Sequence, residues 1–236
     1  MAPHRVVAIV VAGGSGERLG VGGGKQLAPL AGRPVLSWSL LALDAAPEVD
    51  LIVVVCHPDR VAEYREVAVA PLALGTPVTL VPGGDTRRIS VAAGLAAVPV
   101  DFDTVLVHDG ARPLLTAALV TGVLGMLAES GAAGVVAAHR SVDTLKLVVD
   151  GVVVETPDRD RYWAVQTPQV FVSDVLRTAH AEAAATGFEG TDDASLVERC
   201  GGEVRVFEAP RDNVKVTLPG DLEVAEAILG LREEAE

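Results

Sequence analysis

"VVAIVVAGGSGERLGVGGGKQ", from Val6 to Gln26, is the stretch from which the fold and the site can be inferred. Its first seven residues are apolar and rich in valine, which predicts a strand buried on both faces. Seven glycines follow before Lys25. Because glycine weakens regular structure, this cluster indicates that a ligand approaches the main chain closely. The apolar run is too short for a signal peptide and passes directly into the glycine loop.

The composition limits the class of protein. With 236 residues, 50% of them hydrophobic, the chain can bury a full core, and we expect a single domain over residues 1–236. A net charge of −13 and an aromatic content of 3% argue against nucleic-acid binding. No uncharged stretch predicts a membrane span. Two cysteines without metal-binding spacing favour a reducing compartment, so we expect a cytoplasmic protein.

Short β-branched runs alternate with longer segments of helical character along the chain. Continuous apolar strands indicate a mostly parallel sheet, and the alternation predicts an α/β, doubly wound fold of Rossmann-like type. The predicted strands are Val6–Ala12, Leu51–Cys56, Val78–Val81, Thr104–Val107, Gly134–Ala138 and Val204–Phe207. The predicted helices are Val35–Ala46, Arg87–Val98, Thr116–Glu129 and Ser173–Ala185. Ligands of such sheets bind beyond the carboxyl ends of the strands, which places three strand-end loops on one rim.

One stretch departs from this alternation. Residues Leu145–Glu155 contain two β runs joined by Asp150-Gly151, which is the strongest short signal for a hairpin. Because an isolated hairpin is marginally stable, it needs a surface to pack against. It packs either on its own domain or, as a protruding arm formed by residues 140–162, on a second subunit.

The glycine-rich loop matches neither of two common phosphate-binding motifs. A dinucleotide fingerprint needs glycine at position 19, where the chain has Leu19, and a P-loop needs Ser or Thr where it has Gln26. What remains is a longer loop with Arg18 and Lys25 seven residues apart. Its main-chain N–H groups can surround an anion, and the two cations can neutralise a polyphosphate. The glycines suited to this role are Gly13, Gly14 and Gly16.

Further motifs follow the loop in a characteristic order. They are "GGDTRRISVAAGL" (83–95), "VHDGARPLL" (107–115), "DTLK" (143–146), "TPQVF" (167–171), "TDDASLVE" (191–198) and "NVKVTLPGDL" (213–222). Together they resemble the 2-C-methyl-D-erythritol 4-phosphate cytidylyltransferase family over nearly the whole chain. The resemblance implies transfer of a cytidylyl group from CTP to 2-C-methyl-D-erythritol 4-phosphate, with release of pyrophosphate, in non-mevalonate isoprenoid synthesis. It also implies a homodimer formed through the hairpin arm.

The resemblance assigns a role to each matching residue. The catalytic residues it implies are Arg18, Lys25, Arg159 and Lys215. Those implied to bind CTP are Ala12, Gly13, Gly14, Gly16, Gly84, Asp85, Ser90 and Asp109. Those implied to bind the polyol phosphate are Asp109, Arg112, Thr144, Arg159, Thr167 and Lys215. A divalent cation, Mg²⁺, is expected to be held mainly by the CTP phosphates, with Asp109 as a further candidate ligand.

Several alternatives remain open at this level. Arg159 is preferred to Arg161 for its spacing of eight residues before Thr167, but the two are close competitors. Ser90 could cap a helix, and Arg112 could pair with Asp109. The acceptor could be ribitol 5-phosphate, because the related enzymes share most of these motifs. A non-catalytic nucleotide-binding protein on the same fold is a further alternative.

Overall fold

A seven-stranded sheet organises the chain, and the computed structural model describes residues 4–14 and 24–234. The strands of this sheet are β1 (Val6–Val11), β4 (Val49–Cys56), β5 (Val78–Pro82), β6 (Thr104–Asp109), β7 (Gly134–Arg140), β10 (Trp163–Val172) and β11 (Val204–Glu208). Short strands β2 (Pro29–Leu30) and β3 (Arg33–Pro34) form a separate pair. The helices are α1 (Val35–Asp44), α2 (Val61–Tyr64), α3 (Arg87–Ala97), α4 (Ala117–Ser130), α5 (Ser173–Thr186), α6 (Asp193–Arg199) and α7 (Pro219–Glu233).

The strand order is β11-β7-β10-β6-β1-β4-β5, and every neighbouring pair is parallel except those that β10 makes. The predicted α/β class and mostly parallel sheet are therefore confirmed. From β1 the chain builds outward through β4 and β5, then returns to the other side of β1 with β6. A ligand crevice is expected where the direction of winding reverses, which is beside β1.

Two apolar layers cover the faces of the sheet. Along β1, Val6, Ala8 and Val10 contribute to one buried cluster, whereas Val7 and Ile9 contribute to the other. The first cluster contains side chains of α1 and α4, and the second contains side chains of α3 and α5. Because both faces of β1 are buried, its sequence is continuously apolar rather than alternating.

Strand β10 was missing from the predicted set. Its sequence contains Pro168 and two glutamines, and proline cannot donate to a β-ladder, which argues against a central strand. In the structure β10 is central and antiparallel to both neighbours, but its pairing with β7 is interrupted between Val165 and Gln169. Pro168 falls within that interruption. Helices α2, α6 and α7 are also absent from the predicted set.

The predicted hairpin is present as β8 (Leu147–Val149) and β9 (Val152–Glu155), which form a two-stranded sheet separate from the central one. Asp150 and Gly151 at its turn have φ values of 49° and 79°, as a type I′ turn requires. Every residue of both strands is exposed, including five valines. Its proposed role in dimerisation stays a prediction.

Within residues 4–14 and 24–234, none of the helices combines the length and apolar character needed to cross a bilayer.

Packing of β7 against β10 leads to a first prediction. A Cβ added to Gly134 would lie 2.4 Å from Cδ1 of Phe171, a fully buried ring. Gly134→Ala should therefore lower the free energy of unfolding by roughly 1–3 kcal/mol, measured by urea denaturation at fixed protein concentration. Gly125→Ala in α4 is the control, because a Cβ there meets no atom within 4 Å outside its own helix backbone, so stability should not fall. Equal stability of the Gly134 variant and wild type would contradict this packing.

Candidate active site

A cavity of about 540 Å³ opens at the carboxyl ends of β1, β4, β5 and β6. Parallel strands end at the same edge of a sheet, so residues far apart in the sequence meet there. The predicted residues that line it are Gly13, Gly14, Lys25, Gly84, Asp85, Ser90, Asp109 and Lys215. Ala12 is fully buried beside this group and does not line the cavity. Gly16 and Arg18 lie outside the described residues.

Both described ends of the glycine-rich loop approach one buried hydroxyl group. Tyr64 at the end of α2 donates a hydrogen bond of 2.7 Å to the Ala12 carbonyl, and its oxygen lies 3.5 Å from Oε1 of Gln26. Burial raises the pKa of Tyr64 to about 12, so the phenol keeps its proton. Lys25, which follows Gly24 in a 3-10 turn, is largely buried. The residues flanking the loop are thus fixed from the protein interior.

The loop between β5 and α3 forms the opposite wall. The Ser90 hydroxyl contacts both main-chain groups of Gly84: it accepts from the N–H at 3.1 Å and lies 3.2 Å from the carbonyl oxygen. The suggestion that Ser90 caps α3 is wrong, because Thr86 is the N-cap residue and accepts from the Ile89 N–H. Ser90 is therefore free of a capping role and shapes the Gly84 turn.

Asp109, at the end of β6, is held between two cations. Its Oδ1 lies 3.3 Å from Nε of Arg87, and its Oδ2 lies 2.6 Å from Nζ of Lys215. Arg87 also donates to Asp193 at 2.6 Å, and the other oxygen of Asp193 lies 2.9 Å from Nε2 of His180. Burial favours the neutral form of Asp109, but the nearby cations outweigh it and hold its pKa well below the usual range. The carboxylate is thus ionised.

A smaller cavity of about 240 Å³ adjoins the first, and Arg87, Asp109 and Lys215 line both. Predicted residues Arg112 and Thr167 line the smaller cavity. Arg112, the alternative partner for Asp109, instead donates to the Asn213 carbonyl at 2.8 Å. The side chains that contact the Asp109 carboxylate are those of Arg87 and Lys215. The Thr167 hydroxyl accepts the Asp109 N–H at 3.0 Å, which ties β10 to the end of β6.

The two remaining predicted residues lie elsewhere. Thr144 and Arg159 flank the hairpin and line neither cavity, and Arg159 donates to the Val142 carbonyl at 2.8 Å. Arg161 lies in the same 3-10 turn and also lines neither cavity. Within one chain the structure therefore separates these residues from Lys25, Asp109 and Lys215.

Sequence reasoning missed Arg87 and its buried partner Asp193. One signal could have found them: α3 begins with Arg87 and Arg88 and has no acidic residue in its first turn. Cations are unfavourable at a helix N-terminus because of the helix dipole, so two of them indicate specific partners. Asp193 lies within the quoted motif at 191–198, but only the fold brings it to Arg87.

The donor set suits a weakly held divalent cation. Among the residues that the structure describes, no group of three or more His, Cys, Asp or Glu side chains is arranged to hold a metal ion. Mg²⁺, however, commonly uses one or two carboxylates together with phosphates and water. Asp109 is ionised and lines both cavities, so it fits that pattern.

A third cavity, of about 610 Å³, is larger than either of these. It lies at the amino-terminal edge of the sheet, near Val6, Phe102 and Thr104, and its floor includes Leu124 and Leu127 of α4. None of the predicted site residues lines it. Cavity size alone would favour this third cavity as the active site. The 540 Å³ cavity is nevertheless the candidate active site, because charged side chains and glycine-containing loops meet there.

Comparison with known proteins shows which protein family the chain belongs to. The family model "IspD: 2-C-methyl-D-erythritol 4-phosphate cytidylyltransferase" matches residues 6–231. The chain belongs to this family. A 2-C-methyl-D-erythritol 4-phosphate cytidylyltransferase of Parasynechococcus marenigrum (strain WH8102) is 47% identical over 228 residues, covering 96% of this chain and 98% of the relative. The protein of the same name from Prochlorococcus marinus (strain MIT 9313) is 46% identical, with coverage of 95% and 98%.

Solved cytidylyltransferase structures share the fold. The 2-C-methyl-D-erythritol 4-phosphate cytidylyltransferase of Thermus thermophilus superposes with a TM-score of 0.77 at 32% identity, covering 95% of this chain and 98% of that one. The 4-diphosphocytidyl-2C-methyl-D-erythritol synthase of Anaerococcus prevotii DSM 20548 superposes with a TM-score of 0.85 at 29% identity, with coverage of 97% and 99%. The resemblance inferred from the motifs is thus confirmed at the level of the family.

The buried imidazole beside the cytidylyltransferase site gives a pH prediction. Burial lowers the pKa of His108 from 6.5 to about 4, against the attraction of Asp109. Between these two pH values the unfolded chain binds a proton that the folded protein does not. The free energy of unfolding should therefore fall, by at most about 1.4 kcal/mol per pH unit from this residue, as the pH decreases from 6.5 to 4.

His108→Gln tests that contribution, because glutamine is polar but does not titrate. Urea unfolding at about pH 7, 6 and 5 should show a shallower loss of stability on acidification than wild type shows. At neutral pH both side chains are uncharged, so the comparison there measures the packing cost alone. An unchanged slope would mean that His108 does not carry the effect.

Proposed function

We propose that this chain transfers a cytidylyl group from CTP to 2-C-methyl-D-erythritol 4-phosphate, giving 4-diphosphocytidyl-2-C-methyl-D-erythritol and pyrophosphate. The observation that carries the proposal is the family match over residues 6–231, joined to the two adjoining cavities at the carboxyl edge of the sheet. The larger cavity would take CTP and the smaller one the polyol phosphate. The two phosphate groups would then meet beside Asp109, which lines both.

Charge stabilisation is the main chemical task of such a site. The attacking oxygen of a phosphate monoester is already anionic, so the reaction needs no strong general base. Lys25 lines the larger cavity, and Lys215 lies at the junction between the two cavities. We assign Lys25, with Arg18, to the charge that develops on the α-phosphate and pyrophosphate, and Lys215 to the acceptor phosphate. Arg112 and Thr167 would complete the acceptor pocket.

We assign base recognition to main-chain groups around Gly13, Gly84 and Asp85, together with the Ser90 hydroxyl. The Ala12 carbonyl accepts from Tyr64 and Ala12 does not line the cavity, so we assign the acceptor for the exocyclic amine of cytosine to the main-chain carbonyl of Gly13, which does line it. Gly13 and Gly14 would supply N–H groups to the nucleotide. Uracil, which has a carbonyl in place of that amine, would leave the acceptor unpaired.

Mg²⁺ is the divalent cation that we propose for the reaction. When bound, it neutralises phosphate charge and orients the oxygens of the nucleotide. Asp109 would be its protein ligand, with the CTP phosphates supplying the others. The cations around Asp109 keep this carboxylate ionised, which is the form that binds a metal ion.

We propose that residues 140–162 are a dimerisation arm on a single domain spanning residues 1–236. The support is the separate hairpin whose valines are exposed on both strands, because such a surface is costly to leave in water. Thr144 and Arg159 would then contribute to the site of the partner subunit. The two cysteines, one buried and one exposed, form no disulfide, which supports a reducing compartment and hence a cytoplasmic protein.

Ribitol 5-phosphate is the competing acceptor, and a non-catalytic nucleotide-binding role is the alternative of another class. Pyrophosphate release with CTP and a panel of polyol phosphates distinguishes them. Methylerythritol phosphate should give the highest kcat/KM, and replacing CTP by UTP should lower it by roughly 10- to 100-fold, the equivalent of one missing hydrogen bond. Preference for ribitol 5-phosphate would favour the first alternative, and no release with any pair would favour the second.

Lys25→Met tests the charge-stabilising role. It should lower kcat by roughly 100-fold or more, with little effect on the KM of the acceptor, because the contact strengthens as charge develops. Arg205→Met on the exposed edge strand β11 is the matched control for losing one positive charge. A Lys25 variant that keeps near-normal kcat would remove this residue from the catalytic set.

A mixing experiment tests the arm. Lys25→Met and Arg159→Ala homodimers should each be nearly inactive. When they are refolded together, about half of the dimers are mixed, and each mixed dimer has one site with both defects and one with neither. About a quarter of all sites should therefore recover activity. An Arg161→Ala homodimer that is inactive alone and recovers in the same mixture, together with an active Arg159→Ala homodimer, would reassign the arginine. A mixture that stays inactive despite proven subunit exchange would confine the site to one chain.

A further inference from the structure

Arg87, Asp109 and Lys215 form a row at the junction of the two cavities. Each oxygen of the Asp109 carboxylate has its own cation, Arg87 on Oδ1 and Lys215 on Oδ2. If the larger cavity takes CTP and the smaller one the acceptor, the reacting phosphates meet over this row. A cation that binds a phosphate there must therefore share its donors with Asp109 or leave it.

The two cations are anchored very differently. Arg87 is the first residue of α3, and its Nη1, unlike the Nε that contacts Asp109, donates to Asp193. Asp193 is only 1% exposed and is also hydrogen-bonded to His180 of α5. Lys215 lies in a segment without regular secondary structure and reaches Asp109 through one ammonium group at the end of a flexible stem. Its side chain is 40% exposed, against 28% for that of Arg87. Arg87 is therefore fixed and Lys215 can move.

We propose that Arg87 is a positioning residue that holds Asp109 while Lys215 passes from the carboxylate to the phosphate of the acceptor. This inference rests on the proposed function, in which Lys215 binds that phosphate. A buried carboxylate left without any cation is strongly disfavoured. With Arg87 in place, Asp109 keeps a protein cation on Oδ1, so the transfer of Lys215 from Oδ2 costs less. The arginine itself need not touch either substrate.

Arg87→Met is the primary test, since methionine keeps much of the apolar stem and removes the guanidinium group. Lys215 then becomes the main cation on Asp109 and is held there. The KM of the acceptor should rise about tenfold or more, while the KM of CTP changes less than about threefold. Arg88→Met is the matched control, because the neighbouring arginine pairs instead with the half-exposed Glu189 and lines neither cavity. It should leave both constants unchanged.

A double-mutant cycle separates this role from general structural damage. In a Lys215→Met background there is no lysine to release, so adding Arg87→Met should produce little further increase in the KM of the acceptor. Multiplicative effects of the two substitutions would overturn the proposal. A rise in the KM of CTP instead of the acceptor would also overturn it, because Arg87 would then be a nucleotide ligand.

Arg87→Lys covers the case in which the methionine variant folds poorly. A lysine at this position keeps one positive charge beside Asp109 and should bring the KM of the acceptor most of the way back to that of wild type. If Arg87→Lys folds with a wild-type melting temperature and still shows the full defect, the proposal fails. Absence of pyrophosphate release by wild type would instead refute the proposed function, so the two failures are distinguishable.

Discussion

The ionised carboxylate of Asp109 is the constraint on which the site depends. It is buried at the end of β6, where an unpaired charge would be unstable, and it is stabilised by Arg87 and Lys215 from two distant parts of the chain. Through Asp193, the same ion pairs reach α5 and α6. One buried charge thus links the walls of the two cavities to the helices behind them.

Parallel strands buried on both faces place this charge at the rim of the sheet. The ends of β1, β4, β5 and β6 present main-chain groups to one cavity, and the side chains beneath them are apolar. Tyr64 adds a polar contact from below by bonding the Ala12 carbonyl. The buried interior therefore positions the described residues at the two ends of the glycine-rich loop.

The hairpin has the opposite character. Its valines are exposed on both strands, and its flanking residues Thr144 and Arg159 lie away from both cavities of their own chain. A two-stranded ribbon of this kind has no core of its own. These observations are explained together if the apolar surface and the remote polar residues are used by a second subunit. In that arrangement assembly and completion of the site would be one event.

Local patterns in the sequence determined the layered fold and the hairpin, because buried strands, helices and Asp-Gly turns have short-range signatures. The family motifs added ten of the residues that line the two cavities. Local patterns could not determine β10, whose Pro168 and glutamines look unlike a central strand until the interrupted pairing with β7 accommodates them. They also missed the partnership of Arg87, Asp109 and Asp193, since it joins residues up to 106 positions apart. Charge pairing across such separations is decided only when tertiary structure buries the groups together, where burial makes an unpaired charge too costly to keep.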